Sequence, residues 1–519
     1  MTEVDSSLEA RCKSLQTPPV VDIAIAIEFA HDALRAARAD LAIAVLQPLC
    51  ELSAPAPQQA QVWQALGCAY RDEQRMVEAT AAMARVAALL PDDFAAALSY
   101  AQICFASGLP AAGLFARARQ LAPDQLGVTR LTAIALEAEG ERAAAEAILI
   151  RALAANPDWL EGHQSLTTMR WTRGQRTDFA FSYAEACRAQ PRNLALRLAW
   201  FYTLAMLRDW EAATAVLDEG ERALGEGKAF TLARLFVASE TGAQDQTEAL
   251  LQQTESVMDA GVELCRIRHY LRTRQLAKAE AVGLRLSRSS AARTAWPYLS
   301  VIWRLRADPR AQWLDGSPPY ISTFDLPLSS IELTELAALL RLLHTARAPY
   351  LEQSVRGGTQ TDRPLFFRHE PIIARSKDMI VEAVRAYIAG LPAHDAAHPL
   401  LGAARMPQGP VLFAGSWSVR LQAQGFHVSH THPLGWISSA LYVALPEAAQ
   451  LGATPAGWIQ FGTPPPELEL ELAPYARIEP KVGRLVLFPS TMWHSTIPFD
   501  QGERLVVAFD VALPRDVVS

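Results

Sequence analysis

Cysteine is scarce and confined to the first half of the chain. Six occur in 519 residues, at Cys12, Cys50, Cys68, Cys104, Cys187 and Cys265, with no C-x-x-C pair and none beyond residue 265. This argues against a disulfide framework and a structural zinc site, and leaves the thiols as small buried apolar residues on helices. The C-terminal half therefore has no cysteine nucleophile. It also lacks G-x-S-x-G, and G-x-x-x-x-G-K-[ST] is missing from the chain. Basic charge is not in excess: 48 Lys and Arg face 55 Asp and Glu, for a net charge of -7. Nucleic acid is not expected as a partner, because phosphate binding needs a basic footprint. Long apolar runs are missing too. The most apolar early stretch, VVDIAIAIEFA, contains Asp22 and Glu28 and is too short to span a bilayer. The mixed-charge start, MTEVDSSLEARCK, is unlike a secretory signal. The expectation is a soluble, cytoplasmic protein with no membrane partner. At this length two or three domains are expected.

What the first half does have is a period. Pro57, Pro91, Pro123, Pro157 and Pro191 are separated by 34, 32, 34 and 34 residues, the last four in the phrases LLPDD, LAPDQ, ANPDW and AQPRN. A proline followed by a polar residue ends one helix and lets the next begin. A 34-residue helix-turn-helix period is the tetratricopeptide signature. The repeat beginning near Ala60 fits best, with Trp63, Leu66, Gly67, Tyr70, Ala79 and Pro91 in place. After Pro157, His163 stands at the tryptophan position. From about 195 to 305 amphipathic helices continue without proline punctuation. The result should be a helical solenoid able to hold a protein or peptide partner, or else one that only packs on the second domain or dimerises. His31, His163 and His269 are isolated and carry no metal role.

The pattern breaks between 306 and 330, in RADPRAQWLDGSPPYISTFDLPLSS, which reads as a linker. Two helices are predicted next, over 331–353 and 371–392, with SVRGGTQTD as a loop between them. After about 410 the period becomes two. SWSVRLQA, LGWISSALYVALP, GWIQFG, GRLVLFP and RLVVAFDVAL read as strands separated by turns. An α+β domain with a sandwich or barrel core follows, a jelly roll being one solution. The expected organisation is a tail over 1–20, repeats over 21–305, the linker over 306–330 and the barrel over 331–519.

Four of the eleven histidines fall in the last hundred residues: His427, His430, His432 and His494. His430 and His432 are two apart, so on a strand they share a face and can chelate one ion. His494 follows the strand GRLVLFP and a short turn. Arg504 comes ten residues later on the predicted last strand. A redox metal site needs two or three ligands on one face and open positions opposite. The guanidinium suits the far end of a dicarboxylate, or else a structural salt bridge.

HTHPLGWISSALYV, GRLVLFPSTMWHSTIP and RLVVAFD resemble the iron(II)- and 2-oxoglutarate-dependent oxygenases of bacteria and phages. That family is related to prolyl hydroxylases and often follows tetratricopeptide repeats. The resemblance is strongest over 415–512 and extends more loosely to 310. It implies an α+β double-stranded β-helix (jelly-roll) domain behind the all-α solenoid. It also implies Fe(II), 2-oxoglutarate and O2 as cofactor and cosubstrates, with ascorbate as a candidate reductant. The implied metal ligands are His430 and His494, with His432 where the wider superfamily usually has Asp or Glu, and His427 as a spare candidate. Arg504 matches the residue that binds the 2-oxoglutarate C5 carboxylate. Val506 stands where a serine is usual, so Ser438 or Tyr442 becomes the candidate hydrogen-bonding partner. Arg420, on the polar face of its strand, is a further candidate for cosubstrate or substrate contact. Arg356 is a candidate lid residue, and Trp493 reads as packing. The implied activity is hydroxylation of a protein or peptide side chain. The alternative is a tetratricopeptide scaffold carrying an inactive or differently metallated cupin-like barrel.

Overall fold

Hydrophobic periodicity sets the first half. In the computed structural model, which describes residues 3–16, 22–52, 54–316, 320–351, 353–405 and 409–514, helices run in pairs from Ile23–Arg35 and Ala39–Leu46 to Ala292–Leu305 and Arg310–Asp315. In the pair Ala56–Asp72 and Met76–Leu89, Leu66, Tyr70 and Ala79 are buried and Trp63 is partly buried. A side chain at Gly67 would meet Met83 and Ala82, so the small residue lets the two helices approach. His163 is a core residue: it stacks on Tyr183 at 4.9 Å, and its Nε2 donates to the Pro157 carbonyl at 3.0 Å.

The repeat continues well past the last punctuating proline. Each turn inside a pair has a left-handed residue just after its first helix: Ala37, Gln74, Gly108, Gly140, Gly174, Arg208, Gly242, Arg274 and Ala307, with φ between 50° and 89°. The residue that follows it donates its N–H to the carbonyl five positions before itself, as in Arg75 to Tyr70 (2.8 Å), Asp209 to Leu204 (3.2 Å) and Asp308 to Trp303 (2.8 Å). This closure satisfies orphaned carbonyls at a helix C-terminus. The sequence expectation of a repeat array is therefore met, and it extends to Asp315.

Two expected boundaries are corrected. The stretch read as a tail contains the helix Glu3–Leu15, whose Leu8 and Cys12 enter the first core. The stretch read as a linker contains the helix Arg310–Asp315 and a strand of the main sheet. The predicted helix over 331–353 stops at Leu343, and SVRGGTQTD forms a strand instead of a loop.

Among the described residues the second half is built on nine strands: β1 Ser322–Asp325, β2 Val355–Gln360, β3 Phe413–His427, β4 Ile437–Ala444, β5 Ile459–Phe461, β6 Ala476–Ile478, β7 Arg484–Pro489, β8 His494–Thr496 and β9 Arg504–Val511. They form two antiparallel sheets, ordered β1-β7-β4-β9-β3-β2 and β6-β5-β8. The sheets share one core, in which Phe461 packs edge-on against Phe488 at 4.9 Å. The helices Ser330–Leu343 and Pro371–Gly390 add Leu336, Leu340, Ile380 and Val384 to it. The glycines of SVRGGTQTD explain how β2 reaches β3. Gly357 has φ of +67° at a register shift, and a Cβ on Gly358 would collide with the Arg420 carbonyl. Such bulges re-aim neighbouring side chains.

The intra-pair turns also dock the array on the barrel. Gln74 exchanges two hydrogen bonds with the Phe413 backbone (2.8 and 3.1 Å). Gly108 lies against the Arg368 guanidinium, and Gly174 against Arg347. Arg208 pairs with Glu467, Arg272 donates to the Glu467 carbonyl at 2.6 Å, and Arg304 donates to the carbonyls of Gly462 and Ala473. Of the roles expected for the array, packing on the second domain is realised along this edge. Among the described residues no helix is long and apolar enough to cross a membrane.

The junction carries one buried acid. Asp315 accepts a hydrogen bond from Ser300, and burial raises its pKa from 3.8 to about 6. An acid raised on folding favours the fold while protonated. Its contribution is full below about pH 4 and is lost as the pH rises through about 6. Asp315→Asn should therefore match the parent near pH 4 and exceed it at pH 8, by on the order of 3 kcal/mol. Denaturant melts at the two pH values check this, and an unchanged difference between them would contradict it.

Candidate metal centre

The centre forms where β3 ends and β8 begins. His430 and His494 exchange backbone hydrogen bonds, N–H to carbonyl, at 3.1 Å in each direction. The His432 N–H donates to the Ser490 carbonyl at 2.9 Å. The H-x-H pair is thus held in the connection after β3, outside a regular strand, by the turn that leads into β8. Candidate ligand atoms of His430, His432 and His494 all lie within 4.8 Å of one another.

The three rings are oriented by their Nδ1 atoms. His430 Nδ1 lies 2.8 Å from the Val428 carbonyl, His494 Nδ1 3.0 Å from the Met492 carbonyl, and His432 Nδ1 2.8 Å from Asp510 Oδ2. A carbonyl or carboxylate only accepts, so Nδ1 carries the proton in each ring. Nε2 is then the atom left for a metal, in the neutral tautomer that ligation requires. Burial holds His430 and His494 well below the ordinary histidine pKa, and the neighbouring imidazoles add to the effect. Trp417 stacks on His432 at 5.6 Å with an interplanar angle of 5°, and Phe488 packs edge-on against His494 at 4.7 Å.

His427 stands beside the triad. Its ring stacks on His430 at 5.6 Å, and Ser354 Oγ lies 2.9 Å from His427 Nδ1 and 3.2 Å from His430 Nε2. Burial lowers its pKa to about 3, with Arg504 adding to the shift. Arg504 is itself buried, and its NH1 donates to the Gly457 carbonyl at 2.9 Å. Among the described residues its Nε has no hydrogen-bond partner, and neither has the Tyr442 hydroxyl. The Arg504 guanidinium carbon lies 5.0 Å from the Tyr442 ring centroid. Two orphaned polar groups in the buried interior are costly unless a ligand satisfies them.

Strand register explains which candidates converge. Arg504 is opposite Leu421, Val506 opposite Val419 and Tyr442, and Asp510 opposite Ser438. Alternation therefore puts Arg504, Asp510, Ser438 and Tyr442 on one face with Trp417. Arg420 lies on the other face. It forms an ion pair with Glu503 at 2.5 Å, and Glu503 also binds Arg341 at 2.7 Å. The expectation that Arg420 contacts cosubstrate is thus corrected. Ser438 is corrected in role: its hydroxyl donates to Asp510 Oδ1 at 2.6 Å and lies 2.9 Å from Ser490 Oγ, so it steadies the carboxylate that orients His432. Trp493 packs as expected, with its Nε1 donating to the Pro297 carbonyl at 2.9 Å. Asp510 and Ser354 escaped the sequence reading. Asp510 could have been found, since it is six residues after Arg504 and so on the same face of one strand.

Residues 415–510 match the family described as "Putative 2OG-Fe(II) oxygenase". The matched stretch runs from β3 into β9. Among solved structures, the chain is similar to a prolyl-4-hydroxylase from Pseudomonas putida, at 17% identity over 37% of this chain and 92% of that one, with a TM-score of 0.26. It is also similar to a tetratricopeptide repeat protein from Parabacteroides merdae ATCC 43184, at 12% identity over 47% of this chain and 96% of that one, with a TM-score of 0.31. Among curated proteins no relative matches.

The Asp510 contact has a measurable consequence for metal binding. A carboxylate on the far nitrogen of a ligating imidazole fixes the ring and raises its basicity. Asp510→Asn should lower Co(II) and Fe(II) affinity by about 10–100-fold. Metal titration by calorimetry reads this, and an unchanged affinity would leave Asp510 with a packing role only.

Proposed function

We propose that the chain is an Fe(II)- and 2-oxoglutarate-dependent dioxygenase that hydroxylates a protein or peptide side chain. The observation that carries this reading is the convergence of His430, His432 and His494, each with Nδ1 engaged by a carbonyl or carboxylate and with Nε2 facing, among the described residues, no hydrogen-bonding group but the Ser354 hydroxyl, 3.2 Å from His430 Nε2. Three imidazoles suit iron, although they suit zinc as well. The unpartnered Arg504 Nε and Tyr442 hydroxyl tip the balance, because they fit the far carboxylate of a dicarboxylic cosubstrate.

The residues divide the work. His430, His432 and His494 hold the metal, and Asp510 and the two carbonyls fix their tautomers. Arg504 and Tyr442 bind and orient 2-oxoglutarate. Trp417 stacks on His432 and Phe488 packs against His494, holding the two rings in place. When bound, iron and 2-oxoglutarate supply the oxidation: one atom of O2 enters the substrate as hydroxyl, the other enters succinate, and carbon dioxide leaves.

Anaerobic addition of Fe(II) and then 2-oxoglutarate tests the reading. The expected result is a visible charge-transfer absorption that needs both components, followed by succinate formation when air is admitted. Tight binding of zinc with no response to 2-oxoglutarate would instead return the chain to a differently metallated barrel.

A further inference from the structure

A cavity of about 510 Å³ opens onto His430 and His432, and its walls come from both halves of the chain. This volume is in the range that takes a small ligand or a few atoms on either side of a reacting side chain. One wall belongs to the helical array. Met206 ends the helix Leu194–Met206, Trp210 begins Trp210–Leu224, and Phe236 lies on Lys228–Thr241. Trp210 and Phe236 meet edge-to-face at 6.1 Å, and Met206 is 37% exposed, so an apolar surface is left uncovered at the mouth.

The charges around this mouth are mostly paired. Arg208 is paired with Glu467, and Glu240 with Arg268 at 2.6 Å. Arg356 is different. Its NH1 donates to the carbonyls of Gln353 and Val355, both at 2.9 Å, and among the described residues no carboxylate lies at ion-pair distance. Burial lowers its pKa and Arg208 adds to that, while Glu467 opposes it. The side chain is carried on β2, which is paired with β3 on both sides of the bulge, so it is a fixed wall element and not a lid. A half-buried guanidinium with free donors is a ready partner for an oxyanion.

We propose that the substrate of this centre carries a carboxylate that pairs with Arg356 and an apolar portion that lies on Trp210 and Phe236, the helical array thereby forming half of the substrate pocket. The inference rests on the oxygenase reading for what happens to the substrate, but binding can be read without iron or 2-oxoglutarate. The carboxylate can belong to an acidic residue of a peptide or to a free acid.

The test is calorimetric titration of the full chain, with no metal added, using three probes: acetyl-Ala-Leu-Asp-Ala-amide, its Asn counterpart, and 3-phenylpropionate. The Asp peptide or the free acid should bind at least about tenfold more tightly than the Asn peptide, in line with a charge-assisted hydrogen bond. Whichever of the two binds better identifies the source of the carboxylate. Arg356→Gln should erase the preference, and Arg356→Lys should keep part of it. Phe236→Ala should weaken binding about tenfold while leaving the preference intact. Equal binding of all three probes, no binding of any, a preference that survives Arg356→Gln, or indifference to Phe236→Ala would each overturn the proposal. Failure of the Fe(II) and 2-oxoglutarate titration alongside a clear Arg356-dependent preference would sink the oxygenase reading and leave the pocket standing.

Discussion

In the His494→Ala protein, Fe(II) and Co(II) are expected to lose specific binding, with affinity down by about 100-fold or more. Sharing the roughly 10–16 kcal/mol of a structural zinc site among four donors gives on the order of 3 kcal/mol for each. A three-imidazole site can spare none. The backbone bridge between His430 and His494 uses main-chain atoms only, so the loop that carries the other two imidazoles survives the change. The lost contact with Phe488 costs stability, but it does not remove a buried charge, because burial keeps the ring neutral. His427→Ala is the matched comparison. It removes an imidazole stacked on His430 that lies outside the converging set, and metal affinity should change by less than about tenfold. Calorimetry with Co(II) distinguishes the two. Equal losses in both variants would mean that the ligand set has been misassigned.

The second large effect has opposite signs on binding and on stability. Arg504→Met should weaken 2-oxoglutarate binding by about 100-fold or more, since truncating one partner of a buried charged pair costs about 2–5 kcal/mol. The same variant should unfold at a higher temperature than the parent when no cosubstrate is present. Arg504 is 2% exposed, holds one backbone carbonyl and leaves Nε without a partner. Burial lowers its pKa, and no carboxylate within the described residues compensates it. Replacing such a group by an apolar side chain of similar length is often stabilising by about 1–4 kcal/mol. Thermal melts with and without 2-oxoglutarate read both effects. A variant that is destabilised in its absence would argue that Arg504 serves the fold and not a ligand.

Much of this centre could be read from spacing. Two-residue alternation brings Arg504, Asp510, Ser438 and Tyr442 to one face, and the H-x-H spacing with a strand-end histidine foretold the convergence. What spacing could not give was the partner of each polar group. Arg420 looked available because its face is polar, but that face meets Glu503 and Arg341, which come from β9's approach and a distant helix. SVRGGTQTD looked like a loop because glycine weakens strands, whereas here the two glycines admit the neighbouring backbone. The repeats beyond Pro191 were legible as helices only. Their continuing signature lies in a backbone angle, and glycine marks it at Gly108, Gly140, Gly174 and Gly242 but not at Arg208 or Arg274.

The row of left-handed turns along the barrel has a further consequence. A free-standing solenoid can gain or lose a unit and remain a solenoid, because each unit touches only its neighbours. Here Gln74, Gly108, Gly174, Arg208, Arg272 and Arg304 each meet a particular partner on a rigid second body. Deleting 34 residues anywhere between them would shift every later contact by one rung. The number of rungs is thus locked to the size of the barrel, as the teeth of a rack are to the wheel they engage.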